Sequence, residues 1–380
     1  MKKTCIILFA IAFLLAFLVC CEKEEDFNPG FPSAEFIADG KYEGEYWPTE
    51  QWKTCKPEEV GMDSETLREM NEEIVLLLKL HFDVHNVLII RKRYIVAEQY
   101  YSEDYGRDSL HRVYSCTKSI ISATMGIAME EGYISGVETP VLGFFPEYSI
   151  EYPEGKEDIT LKHMLTMSAG FDWHETDFHY SDEQNTYNSW VTSSDRIKFL
   201  LDRPLSDIPG SRFNYNTGIS HVLSAVIQKQ TGIRTDSFAV NRLFNPLGIS
   251  DYYWHIDPNG IANGGSGIWL KPRDLAKIGL LYLNMGRWEQ NQVIPDDWVA
   301  ESLDKHILRG DIPDFYYGYQ WWIHPYGLCA AVGYAGQVLM LIPELELIIV
   351  FNNNFNESDS SQLETPWRLL DNYIIPSVRQ

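Results

Sequence analysis

Cysteine is scarce in this chain of 380 residues, long basic runs are missing, and only one long apolar run occurs. Three of the six cysteines, Cys5, Cys20 and Cys21, sit near the start; Cys55, Cys116 and Cys329 are an odd number with no close pairs. That spacing offers neither a disulfide framework nor a zinc site. His174-Glu175 is followed by a histidine at His179, i+5, which misses the i+4 spacing of a helical zinc pair. There is no Gly-x-Ser-x-Gly elbow and no Walker-type glycine loop, so an ordinary α/β-hydrolase and a P-loop nucleotide enzyme are both ruled against. No metal and no cofactor are expected. The formal net charge of −23, without a basic stripe, argues against nucleic acid as a partner.

What the chain has in plenty is apolar and aromatic material. Hydrophobic residues make up 45%, and the 22 Tyr, 18 Phe and 11 Trp suit large packed layers. The apolar run from Ile6 to Val19 follows Lys2 and Lys3 and ends Leu18-Val19-Cys20-Cys21. It is short for a membrane span and has the layout of a leader. The ending resembles a bacterial lipoprotein signal, which implies that Cys21 carries lipid and that the protein is exported to the cell envelope. Residues 1–21 are therefore read as a signal peptide, 22–50 as an acidic and then Pro/Gly/aromatic-rich linker, and 51–380 as one domain.

Within that domain, Met62-Asp63-Ser64 caps a helix continuing to Leu80, and two strands, 86–91 and 94–101, flank a tight Arg91-Lys92-Arg93 turn. From about 140 to 263 the pattern is loops and helices, including 159–170, 196–201 and 217–232. Helices over 274–285 and 295–303 follow. Strands then dominate at 316–323, 328–332, 337–343 and 345–352, before a final helix over 363–375. The fold class this predicts is α+β: an antiparallel sheet assembled from the N- and C-terminal strands, flanked by helices, with an inserted mainly helical region.

One stretch carries chemistry. Ser115 and Lys118 lie three apart at the start of a helix that closes at Gly132, so they share a face with Cβ atoms roughly 5–6 Å apart. An amine on the next turn can reach the hydroxyl, the pairing that activates a serine without histidine. The spacing alone is weak, because Ser302-Leu-Asp-Lys305 repeats it. Surroundings separate the two: small residues Ser119, Ser122, Ala123, Gly126 and Ala128 mark the first helix as central, whereas Glu301, Asp304, His306 and Arg309 mark the second as a solvated face. Cys116 points roughly 100° away from Ser115 on a helix and reads as a packed thiol. His163 and His221 read as structural or surface residues.

Five blocks then occur in order: Ser115-Cys-Thr-Lys118, Leu165-Thr-Met-Ser-Ala-Gly170, Phe213-Asn-Tyr215-Asn-Thr217-Gly, Leu270-Lys-Pro-Arg-Asp-Leu-Ala-Lys-Ile-Gly279 and Gly333-Tyr-Ala-Gly-Gln337. Together they resemble the serine β-lactamase and penicillin-binding family in its class C-like branch, which includes esterases, D-amino-acid peptidases and 6-aminohexanoate-dimer hydrolases. The resemblance spans roughly Glu58 to Pro376. It implies Ser115 as nucleophile of an acyl-enzyme, Lys118 and Tyr215 as general base and acid, and backbone N–H groups of Ser115 and Tyr334 as the oxyanion donors. Which of Lys118 and Tyr215 takes the first proton stays open. Trp173 falls where the family tends to line its cleft.

Two positions depart from the pattern. The family's Asn two residues after the tyrosine is Thr217 here, and the Lys-Thr-Gly or His-x-Gly block aligns as Ala331-Val332-Gly333. Loss of the cation weakens a penicillinase reading and leaves acyl transfer intact. Small amides, short peptides or esters are the expected substrates. A β-lactamase or D-alanyl peptidase is the enzymatic alternative, and a surface ligand-binding protein the non-enzymatic one.

The lipid expectation has a direct check. Cells fed radiolabelled palmitate should label the wild type in the membrane fraction, and Cys21→Ser should abolish that label.

Overall fold

The computed structural model describes residues 36–310, 313–356 and 358–379. Cys21 and the leader lie outside them. In chain order the elements are α1 (Ser64–Lys79), β1 (Val84–Arg91), β2 (Tyr94–Tyr100), β3 (His111–Arg112), α2 (Thr117–Glu130), α3 (Leu161–Leu165), α4 (Thr186–Val191), α5 (Arg196–Leu201), α6 (Thr217–Thr231), α7 (Thr235–Ala239), β4 (Tyr252–Trp254) and β5 (Ile268–Leu270). There follow α8 (Pro272–Leu283), β6 (Arg287–Trp288), β7 (Asn291–Gln292), α9 (Asp296–Ser302), β8 (Ile307–Leu308), β9 (Tyr316–Tyr317), β10 (Trp322–Ile323), β11 (Cys329–Gly333), β12 (Gln337–Ile342), β13 (Leu347–Asn353), α10 (Ser360–Leu363) and α11 (Thr365–Leu369).

Eight strands form one sheet in the order β2-β1-β13-β12-β11-β10-β9-β8. Every pairing in it is antiparallel. The N-terminal hairpin adds to the C-terminal strands through β1 and β13, with Leu88 opposite Val350 and Ile90 opposite Ile348. This is the α+β arrangement expected from the sequence, with the helices α3 to α7 inserted between the two sets of strands.

The strands are buried on both faces, which explains why they read as near-continuous apolar runs rather than as alternations. Leu88, Ile90, Leu339, Leu341, Ile348 and Val350 share a core cluster with α2, α6 and α8. Val87, Ile89, Met340 and Ile349 are equally buried but lie outside that cluster, as do Met70, Ile74 and Leu77 of α1. A period of two puts them on the opposite face of the sheet. The approach of α8 to the sheet depends on Gly279, where an added Cβ would come within 2.9 Å of both Leu339 and Leu341.

Three details differ from the sequence reading. Residues 36–50 are not a free linker: Ala38 N–H donates to Val96 O at 3.0 Å, Glu98 N–H donates to Phe36 O at 2.9 Å, and Phe36 is buried. This segment satisfies the outer edge of β2 and buries aromatic area, so the domain begins before residue 51. Second, the run 316–323 is two short strands, because Gln320 takes a positive φ of 64° and turns the chain. Third, Ser302 is not on a solvated face; it is fully buried, 3.5 Å from Ser122 Oγ on α2, while Lys305 is exposed.

The small residues of α2 are needed for this packing. At Gly126 an added Cβ would sit 2.4 Å from the Trp298 ring of α9. Gly126→Ala should therefore destabilise the fold by ~1–3 kcal/mol despite the better helix propensity of alanine, read as a lower urea midpoint with an unchanged slope.

Candidate active site

Ser115 sits at the mouth of α2 because the chain before it is pinned into the small sheet β3-β5-β4. Val113 N–H donates to Ile268 O at 3.0 Å, and Ile268 N–H donates to Thr117 Oγ1 at 3.2 Å. Between them Tyr114 adopts a φ of 45°, a left-handed conformation costly for a residue with a Cβ. Its ring is held by the Arg112 guanidinium at 4.3 Å and by the Tyr334 ring at 5.3 Å. Ser115 ends half-buried inside a short 3₁₀ turn, Tyr114–Cys116, that runs into α2.

Lys118, one turn on, is 1% exposed. Its Nζ lies 2.9 Å from Ser115 Oγ, 3.0 Å from Thr217 Oγ1 and 2.8 Å from the carbonyl of Gly265. The three contacts come from three parts of the chain: the turn that runs into α2, the first residue of α6, and the loop before β5. That loop is shaped by Asn263 Oδ1, which accepts from Gly265 N–H at 3.0 Å and Ser266 N–H at 3.1 Å. Gly265 has no room for a side chain, since a Cβ would meet Thr217 Cγ2 at 2.4 Å. Burial pushes the Lys118 amine down to about 8, with Glu175 first and then Cys116 opposing the fall.

Tyr215 stands over the same amine, with Nζ 4.9 Å from its ring centroid, and stacks on Trp322 of β10 at 5.7 Å. Burial is the main cause of a phenol pushed well above its ordinary range; Tyr317 and Glu175 add to it, and a hydrogen bond with Ser115 works the other way. The following Asn216 caps α6 by accepting from Ile219 N–H at 3.2 Å, which sets Thr217 as the helix's first residue. On the far side, β11 ends against Ser115. A Cβ on Gly333 would fall 2.5 Å from Val113 O and 3.1 Å from Ser115 N, so only glycine permits this approach.

A model of the β-lactamase family matches residues 83–372. The chain belongs to the β-lactamase family. A 6-aminohexanoate-dimer hydrolase of Paenarthrobacter ureafaciens is 24% identical over 291 residues, covering 72% of this chain and 73% of that one. Among solved structures, a Bacillus anthracis protein provisionally described as a 6-aminohexanoate-dimer hydrolase superposes with a TM-score of 0.70 at 18% identity, over 91% of this chain and 92% of the other. The octameric penicillin-binding protein homologue of Pyrococcus abyssi gives 0.65 at 18% identity, over 82% and 79%. The protein is thus a hydrolase of the serine β-lactamase and penicillin-binding-protein-like fold.

In this β-lactamase-family member the structure brings Ser115, Lys118, Tyr215, Thr217 and Gly333 together and sets the Tyr334 ring against Tyr114. Two other candidates do not face a cleft. Trp173 is 2% exposed, packs on Trp190 and Phe199, and donates its Nε1–H to Glu175 at 2.9 Å. Ala331 is 2% exposed and points into the core, so the family's cationic position is a buried methyl. Cys116 is a packed thiol, as its helical position implied, with burial raising it to about 12. His163 caps α3 and His221 pairs with Asp257 at 3.0 Å.

Sequence reasoning missed Glu175, Gly265 and Gln320. Glu175 was visible only as half of a failed zinc motif, and Gly265 contributes a carbonyl, which no side-chain pattern reports. Gln320 accepts from Ser220 Oγ at 2.6 Å, donates to Leu165 O at 2.9 Å and takes Ser119 Oγ on its own carbonyl at 2.8 Å, clamping α2, α3 and α6 to the sheet.

The depressed Lys118 makes a thermodynamic prediction. The unfolded chain holds this proton up to pH 10.5, and the native state releases it near 8, so in that window the unfolded state binds more protons. Stability relative to Lys118→Met should therefore rise with pH between those limits, by at most ~1.4 kcal/mol per pH unit, and be flat below pH 8. Urea titrations of both proteins across that range check it.

Proposed function

We propose that this protein is a serine hydrolase that cleaves small amide, peptide or ester substrates through an acyl-enzyme on Ser115. The observation that carries this reading is the buried amine of Lys118, 2.9 Å from Ser115 Oγ and shifted to about 8. In its neutral form it can take the hydroxyl proton as Oγ attacks the carbonyl carbon. Tyr215, whose phenol is held protonated by burial, is poorly suited to begin as a phenolate; its position over the amine fits passing the proton on to the leaving group. The oxyanion then develops between the backbone N–H groups of Ser115 and Tyr334, the two donors the family resemblance assigns.

Within the family an amidase or esterase role is favoured. The missing charge at Ala331 removes the usual partner of a β-lactam carboxylate, and a relative is named a 6-aminohexanoate-dimer hydrolase. The likeness to a penicillin-binding protein homologue keeps a D-alanyl peptidase or β-lactamase as the second reading. A retired, ligand-binding version of the fold is disfavoured, since Ser115, Lys118 and Tyr215 are all retained in contact. We further propose that the enzyme is exported and held at the cell envelope by lipid on Cys21, where small molecules or peptides reach it.

Labelling with a fluorophosphonate and with a fluorescent penicillin, beside turnover of linear 6-aminohexanoate dimer and p-nitrophenyl esters, tests this directly. The wild type should take the fluorophosphonate, and Ser115→Ala should lose both label and turnover by at least ~10³-fold. Turnover should rise with pH along a limb centred near 8, as the Lys118 amine loses its proton. A folded wild type that takes no label defeats the enzyme reading; penicillin labelling without turnover favours the penicillin-binding one.

A further inference from the structure

We infer that Glu175, acting through Thr217, is a positioning residue that turns the lone pair of Lys118 toward Ser115. The inference rests on the serine hydrolase reading above and deepens it.

Glu175 is 1% exposed and accepts four hydrogen bonds. Oε2 takes Thr217 N–H at 2.7 Å and Trp173 Nε1–H at 2.9 Å. Oε1 takes Thr217 Oγ1–H at 2.5 Å and Tyr180 OH at 2.8 Å. Its own segment is pinned by Asn185, whose Nδ2 donates to Glu175 O at 2.9 Å. A buried carboxylate surrounded by donors in this way is a costly feature to keep unless its orientation matters.

The consequence follows from counting protons. A threonine hydroxyl has one hydrogen, and here it is given to Glu175. Thr217 Oγ1 can then only accept from Lys118 at 3.0 Å. The Gly265 carbonyl at 2.8 Å can also only accept. A neutral amine has two N–H bonds, and these two oxygens use both. The remaining direction, toward Ser115 Oγ at 2.9 Å, is left to the lone pair. As Oγ bonds to the carbonyl carbon, the lone pair takes the Oγ proton and the carbonyl π pair moves to its oxygen; the resulting ammonium keeps Thr217 and Gly265 as acceptors. Were the Thr217 proton free to rotate, it could instead occupy the lone pair and disable the base. Thr217 thus stands in the family's asparagine position as half of a two-residue unit.

Glu175→Gln reverses the polarity of this unit. Two of the four partners, the Thr217 backbone N–H and the Trp173 indole N–H, cannot accept, so the amide oxygen must face them. The amide nitrogen then faces the two hydroxyls and donates to Thr217 Oγ1, releasing its proton toward Lys118. The charged or titratable groups bearing on Lys118 are Glu175, Cys116 of its own turn and the Tyr215 ring; on Glu175 they are Tyr180, Tyr187, Tyr215 and Lys118. Removing the Glu175 charge takes away what holds the Lys118 proton, so the amine titrates lower.

The experiment follows p-nitrophenyl acetate hydrolysis from pH 5.5 to 9.5 by wild type, Glu175→Gln, Thr217→Val, Thr217→Ser and the Gln/Val double variant, with Ser115→Ala as reference. Expected for Glu175→Gln are a kcat lower by on the order of 10²-fold, KM within about twofold, and the acid limb moved to lower pH. Thr217→Ser should stay near wild type, and the double variant should be no slower than Thr217→Val alone. Glu175→Gln with wild-type kcat and limb, or losses that multiply in the double variant, would overturn the inference. If Glu175→Gln lowers the melting temperature, the threonine pair decides, since it leaves the carboxylate in place: Thr217→Val as active as Thr217→Ser overturns it. Activity surviving in Ser115→Ala would instead bring down the hydrolase reading itself.

Discussion

The constraint on which this structure turns is the burial of one amine. Lys118 lies on a helix in which 12 of 14 residues are buried, and a buried amine is tolerated only where oxygens surround it. Supplying them recruits distant segments: the first turn of α6 brings Thr217, the loop shaped by Asn263 brings Gly265 O, and the strained turn at Tyr114 brings Ser115. Each supplier is itself fixed by something further out. Asn216 caps α6, β5 holds Val113, and the absence of a side chain at Gly265 and Gly333 lets backbones meet.

Such a centre has to sit where the sheet and the helical region join. Tyr215 leans on Trp322 of β10, and β11 closes on Ser115, so the candidate site is built by helices on one side and by the end of a strand on the other. Gln320 serves this junction as a polar rivet, bonded to α2, α3 and α6 from a turn between two strands. Because its partners are buried, these hydrogen bonds tie the helices to the sheet as one packed unit.

The two departures from the family pattern have different physical meanings. At Ala331 the charge expected from the family pattern is absent and a methyl fills core space. At Thr217 an amide is replaced by a hydroxyl, and a second residue, Glu175, comes with it. An asparagine offers a fixed donor and a fixed acceptor, whereas a hydroxyl can be either, so its direction must be imposed by a neighbour.

How much of this could be read from the chain depends on whether the signal is local. Ser115 and Lys118 were legible because helical spacing puts them on one face and the ordered blocks that follow single them out from Ser302 and Lys305, and the strands were legible because apolar runs at both ends need a common layer to be buried. Ordered blocks added Tyr215. The charge, the acidic bias and the lack of metal or nucleotide motifs narrowed the chemistry before any fold was seen. The docking of residues 36–50 was not legible, since an unpaired sheet edge exists only once the sheet is formed. Nor were the enclosure of Trp173, the burial of Ser302 or the carbonyl of Gly265. Glu175 is the clearest case: it lies 57 positions beyond Lys118, and only the folded chain sets its carboxylate on the threonine that holds the amine. Sequence determines which groups can do chemistry and which segments pack; tertiary structure decides which proton points where, because hydrogen-bond direction is set by neighbours that the chain alone does not put next to each other.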